Sequence, residues 1–284
     1  MPAQAIALLH AGLRLALRPD LGGCIAGLWH DGLPVLRSTE PAALTGPRQS
    51  ACFAMLPYSN RLGLRRFEWQ GKRWTTAANF DDSPHSLHGV AWQQAWRVLE
   101  QPETRASLGY SHLANAHWPF AFEARQDFEL TPGRLTLHLT LRNTDAVSQP
   151  VGLGWHPYFP LRPSSALAIP VGTRWDSGAD QLPQHKVDVG RIESAVQALD
   201  LDNCFEGWQG PALITDECFR LRLSSSLNRL VIFTPPNHDF FCIEPVSHVN
   251  NAIQHADPLG QGLCELRPGQ TLQAWMTLDI ESLK

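Results

Sequence analysis

Apolar and polar positions in this chain alternate with a period of two, while a helical period near 3.6 is hard to find. Leu135, Leu137, Leu139 and Leu141 alternate with Thr136, His138, Thr140 and Arg142, which predicts an antiparallel strand with one buried face. Phe219, Leu221 and Leu223 against Arg220 and Arg222 predict a second. Leu272, Ala274, Met276, Leu278 and Ile280 against Gln273, Trp275, Thr277 and Asp279 predict a third. Two runs are apolar throughout: Leu230 to Phe233, and Phe240 to Ile243, bounded by Pro235-Pro236 and by Pro245. They read as strands covered on both faces and joined by a turn at Pro235-Pro236-Asn237-His238-Asp239. Other turn signals are Pro132-Gly133, Asn143-Thr144-Asp145 and Arg267-Pro268-Gly269-Gln270. Helical character is confined to short stretches such as Pro41-Ala42-Ala43-Leu44. With no repeat, charge run or composition shift, the expected architecture is all-β, a large antiparallel β-sandwich forming a single domain over residues 1–284.

Composition narrows function more than fold. Hydrophobic residues make up 43%, enough for a sizeable core. Charged residues are only 18% and the net charge is −4, so nothing electrostatic favours nucleic acid as a partner. No apolar run approaches the roughly 18 residues of a membrane span. The start has no basic flank, and Arg14 breaks its apolar run, so no signal peptide is expected. The six cysteines, at 24, 52, 204, 218, 242 and 264, contain no CxxC pair and suit neither a disulfide framework nor a zinc site. A reduced, cytoplasmic protein is the expectation. Ten tryptophans are a surplus that serves large cores and carbohydrate grooves.

Four segments carry candidate chemistry. In Gly152-Leu153-Gly154-Trp155-His156-Pro157-Tyr158-Phe159, Pro157 pushes His156 out of the helical region and onto a stiff extended backbone. An imidazole so held can give or take a proton near neutral pH, and the flanking rings suit the C–H faces of a sugar. The bland alternative is a histidine buried in an aromatic core. Ser59-Asn60-Arg61 follows the apolar run Ala51 to Leu56, as a binding loop leaves a buried strand; an ordinary solvated turn reads the same way. In His85-Ser86-Leu87-His88-Gly89, the glycine permits close backbone approach to a ligand. Its two histidines lack a third metal ligand at a recognisable spacing. Glu244 ends an apolar run and is fixed by Pro245, so it is either paired or has a raised pKa, the latter making a usable general base. No GxSxG elbow, Walker loop or GxGxxG is present.

Asn60-Arg61, Leu87-His88-Gly89, His156-Pro157-Tyr158-Phe159 and Glu244-Pro245, in that order, resemble the aldose 1-epimerases, or galactose mutarotases, which interconvert the α and β anomers of free sugars. Leu201-Asp202-Asn203-Cys204-Phe205 is a weaker matching element. The resemblance implies the galactose mutarotase-like supersandwich fold, a small-molecule sugar as partner, and no cofactor or metal. It implies Glu244 as the base on the C1 hydroxyl and His156 as the acid at ring oxygen O5. Arg61, His88 and Asn60 would hold the sugar, and Asp202 would take hydroxyls far from C1. Two departures leave the preferred sugar open: Val90-Ala91-Trp92 follows Gly89 where many members have a second glycine, and Val246-Ser247-His248-Val249-Asn250-Asn251 varies the usual segment after Glu244-Pro245. Two other readings remain. One is a hexose 6-phosphate epimerase with Arg65, Arg66, Lys72 and Arg73 as its phosphate pocket. The other is a non-catalytic carbohydrate-binding protein on the same fold. Nothing in the sequence indicates an oligomeric state.

Overall fold

The computed structural model describes residues 5–284. The leucine-alternating stretch forms Arg134–Asn143, paired along its length with Phe122–Thr131 and with Thr271–Ser282. These strands centre a nine-stranded antiparallel sheet that continues through Phe219–Ser225 and Ala212–Thr215 to Arg191–Ala195. The two continuously apolar runs form Arg229–Phe233 and Phe240–Val246, an antiparallel pair in the middle of an eight-stranded sheet. A smaller four-stranded sheet, opening with Ile6–His10, completes the N-terminal part.

Both apolar strands are covered on both faces, as their lack of alternation requires. Leu230, Ile232, Phe241 and Ile243 join the core between the sheets, with Leu135, Leu137, Leu221 and Leu278 from the nine-stranded side. Each such side chain removed from water contributes about 1.5–3 kcal/mol. The opposite face of the same two strands carries Val231, Cys242 and Val246 into a second cluster with Phe53, Tyr158 and Trp92. Glu244, two residues from Cys242, shares that face by strand periodicity. Pro41–Leu44 is a hydrogen-bonded turn and not a helix; four residues flanked by Gly46-Pro47 cannot meet the cost of helix nucleation. The helical segments among the described residues are isolated three-residue turns, and none is long and apolar enough to cross a membrane.

Candidate active site

Strand register brings the two central groups together. Gly154 lies opposite Val246 and Tyr158 opposite Cys242, so counting inward from either pair sets His156 against Glu244. Pro157 interrupts the ladder between these pairings. The His156 N–H instead donates to the Phe53 carbonyl at 2.9 Å, and that of Tyr158 to the Ala51 carbonyl at 2.9 Å. His156 Nε2 stands 3.3 Å from Glu244 Oε1. His156 Nδ1 and Glu244 Oε2 are buried without a protein partner.

Burial acts on the two groups in opposite directions. It pushes the Glu244 carboxyl well above its ordinary value, Asp202 adding to the effect and Arg61 opposing it. It pulls the His156 imidazole well below its ordinary value, helped by His88 and Arg37. Both shifts favour the neutral forms, a proton kept on the carboxyl and none added to the imidazole.

Around the pair lies an open groove of about 800 Å³. Every site residue expected from the sequence lines it: Asn60, Arg61, His88, His156, Asp202 and Glu244. Arg61 belongs to the two-residue strand Arg61–Leu62, which pairs with Ser86–Leu87 and so couples the binding loop to the His88 turn. Its guanidinium reaches Asp202 at 3.2 Å and Gln181 at 2.8 Å, with Asn60 Oδ1 at 3.3 Å. The Asn60 N–H donates to His88 Nδ1 at 3.2 Å and the His88 N–H to the Asn60 carbonyl at 2.9 Å. With Nδ1 accepting, the His88 proton sits on Nε2. Burial depresses this imidazole to about 3, with Arg61 next in effect, so it stays neutral. Asn60 and His88 both adopt left-handed backbone, at φ 56° and 58°, a conformation that clusters at functional sites.

The role expected for Gly89 is corrected. Its φ is +68°, and a Cβ there would lie 2.1 Å from the Leu56 carbonyl oxygen. The close approach is to the chain's own strand and not to a ligand. His85 is likewise structural: Nδ1 accepts the Leu64 N–H at 2.9 Å, and Nε2 lies 2.9 Å from the Asp180 carbonyl. The cations named for a phosphate pocket are elsewhere. The hairpin of Arg66–Trp69 and Lys72–Thr75 turns Arg66 and Arg73 toward a separate cavity shared with Glu68 and Gln254.

Several groove residues gave no signal in the sequence. Phe53 packs against His156 at 4.7 Å between ring centroids and against Trp92 at 5.3 Å. Asn79 clamps the His88 turn, donating to the Leu87 and Gly89 carbonyls and accepting the Leu87 N–H, each at 2.8 Å. Arg37 lies over the Tyr158 ring at 3.7 Å. As for metal, His156, Cys242 and Glu244 each bring one donor atom within 4.8 Å of the others. Burial drives the Cys242 thiol well above its ordinary value.

The fold is the galactose mutarotase-like β-sandwich, with the His156–Glu244 pair lining an open groove. The family model for aldose 1-epimerase matches residues 4–279, and the chain belongs to that family. It is 30% identical to the uncharacterized Escherichia coli K12 protein YphB over 97% of this chain and 98% of that one. A crystal structure of an E. coli K12 protein provisionally described as an aldose 1-epimerase superposes with a TM-score of 0.90 at 28% identity, covering 99% of both chains. A galactose mutarotase-like protein from Clostridium acetobutylicum gives a TM-score of 0.87 at 19% identity, covering 99% of this chain and 96% of that one, and shows the fold alone.

Proposed function

We propose that the chain is an aldose 1-epimerase acting on a free aldose through His156 and Glu244, with no cofactor or metal, in the cytoplasm. The observation that carries this reading is the 3.3 Å approach of His156 Nε2 to Glu244 Oε1 on the floor of the groove. Opening a cyclic hemiacetal requires removal of the C1 hydroxyl proton and delivery of a proton to O5. Transfer of the carboxyl proton from Glu244 to His156 creates a carboxylate base for the first task and an imidazolium acid for the second. A sugar hydroxyl donating to Glu244 favours the carboxylate, so binding itself prepares the base. After rotation about C1–C2, ring closure on the other face reverses both transfers and returns the pair to its starting state.

His88 Nε2–H is a fixed neutral donor facing the groove, and Arg61 with Asn60 and Asp202 offers complementary donors and acceptors for hydroxyls. Phe53, Trp92 and Tyr158 provide ring surfaces. A pure binding protein needs no buried acid–base couple, which disfavours the non-catalytic reading. The hexose 6-phosphate reading loses Arg66 and Arg73, which line another cavity.

Anomer exchange of freshly dissolved sugars, followed by polarimetry and saturation-transfer NMR, tests the proposal. Glu244→Gln keeps size and reach but removes basicity. It should lower the exchange rate about 10²–10⁴-fold while sugar affinity stays within a few-fold, because the loss falls on the transition state. His156→Asn should behave alike. Near-normal exchange in Glu244→Gln would remove Glu244 as the base and the mechanism with it.

A further inference from the structure

The arginines lining the groove are not all paired. Three arginines and three carboxylates face it: Arg37, Arg48, Arg61, Asp81, Asp202 and Glu244. Arg61 is paired with Asp202 at 3.2 Å and Arg48 with Asp81 at 2.6 Å, while Glu244 stands 3.3 Å from His156. Arg37 is left over and makes no ion pair among the described residues. Its Nη2 donates to the Arg48 carbonyl at 2.6 Å and the Ser50 carbonyl at 2.8 Å. Those two bonds fix the guanidinium over Tyr158 at 3.7 Å and Phe240 at 4.7 Å. Nε is buried without a partner, and Asp239 acts on the guanidinium only through space, with no ion pair formed. A half-buried guanidinium costs desolvation that ring faces and carbonyls offset only in part, and this one is held rigid at the wall of a ligand groove.

We propose that Arg37 is a specificity residue for an aldose bearing a carboxylate on the carbon attached to C5, that is, a hexuronic acid. The inference rests on the reading of the groove as an aldose site. Its location follows from the ring stack: Arg37 lies on Tyr158, whose ring is 4.5 Å from that of His156 and within 21° of parallel. His156 serves O5, O5 is bonded to C5, and C5 carries the exocyclic carbon. The anionic group an aldose can place nearest O5, away from C1, is therefore a carboxylate at that carbon. Charge stoichiometry favours carboxylate over phosphate. A phosphate monoester carries about −1.5 to −2 at neutral pH and calls for a second cation, yet Arg48 and Arg61 are already engaged. One unpaired guanidinium matches one carboxylate.

The test measures binding of glucuronate, galacturonate, glucose, galactose and glucose 6-phosphate to the full chain by calorimetry at neutral pH. It compares the wild type with Arg37→Gln and Arg37→Lys, and follows anomer exchange in parallel. The wild type should bind a uronate at least about tenfold more tightly than its neutral parent, as expected for a charge-assisted contact. That ratio should fall toward one in Arg37→Gln and be retained in part by Arg37→Lys. Equal or weaker uronate binding in the wild type, an unchanged ratio in Arg37→Gln, or preference for the 6-phosphate overturns the proposal. If Arg37→Gln does not fold, the wild-type ratio and the lysine variant still decide. Failure of the underlying reading looks different: uronates bind with the expected ratio, but no sugar shows accelerated exchange.

Discussion

Acid should loosen this protein through histidines that refuse a proton, and His248 gives the cleanest measure because it lies outside the His156–Glu244 pair. Its Nε2 accepts the Ser59 N–H at 3.1 Å, which leaves the ring proton on Nδ1, 2.8 Å from the Val249 carbonyl. The ring is buried against Gly152, where a Cβ would stand 2.0 Å from it. Burial lowers this imidazole from 6.5 to about 4, with Arg229 also lowering it and the Val249 carbonyl opposing. The folded value lies below the unfolded one, so the stabilisation is fully present above pH 6.5 and is lost as pH falls toward 4. At roughly 1.4 kcal/mol per pH unit, acidification to pH 5 removes about 2 kcal/mol through this one residue. That is a large share of a typical folding free energy of about 5–15 kcal/mol. His248→Gln retains an acceptor for the Ser59 N–H but cannot titrate. Urea unfolding across pH 7.5 to 4.5 should show the variant less stable at neutral pH, with the gap to wild type narrowing by about 2 kcal/mol by pH 5. Parallel curves would show that His248 is not held neutral and would refute the reasoning.

Two further outcomes probe the groove walls. Asp202→Asn removes a partly exposed ion pair with Arg61 while Gln181 and Asn60 still hold the guanidinium. Stability should change by less than about 1 kcal/mol, and sugar affinity by calorimetry should weaken about tenfold; unchanged affinity would exclude Asp202 from binding. Gly89→Ala places a methyl 2.1 Å from the Leu56 carbonyl at a φ of +68°, and thermal unfolding should report a loss on the order of 3 kcal/mol or more. A midpoint within about a degree of wild type would show that the turn yields without cost.

Much of the sandwich is legible in the sequence because a two-residue period leaves little choice. Leu135 to Leu141 can bury one face only as a strand, and the unbroken run Phe240 to Ile243 announces cover on both sides. The six candidate site residues carry side chains whose chemistry is visible in one dimension. What is not visible is pairing. His156 meets Glu244 through a strand register 88 residues apart, and the register is fixed by Gly154 and Tyr158, not by either residue of the pair. Asn79 and Arg37 escape notice because they act on backbone carbonyls and ring faces, which leave no motif. The four cations from Arg65 to Arg73 mislead for the converse reason: neighbours in sequence, they sit on a hairpin and the turn just before it, and none lines the groove.

The histidines show how a functional motif can hide a structural one. The loop carrying Asn60 and Arg61 has three backbone N–H groups, of Ser59, Asn60 and Leu64, and each donates to a ring nitrogen: His248, His88 and His85 respectively. Protonation of any of these nitrogens would set a donor against a donor. The loop therefore keeps its shape only while all three rings accept, and burial already holds His88 and His248 far below their ordinary values. His156 differs in kind. Its ring binds no backbone N–H, Nδ1 is unpartnered, and Nε2 lies 3.3 Å from the Glu244 carboxyl. Among these four imidazoles, the one left free of scaffolding stands beside Glu244, so the rigidity of the groove and the acid–base role proposed for it draw on the same residue type in opposite states of commitment.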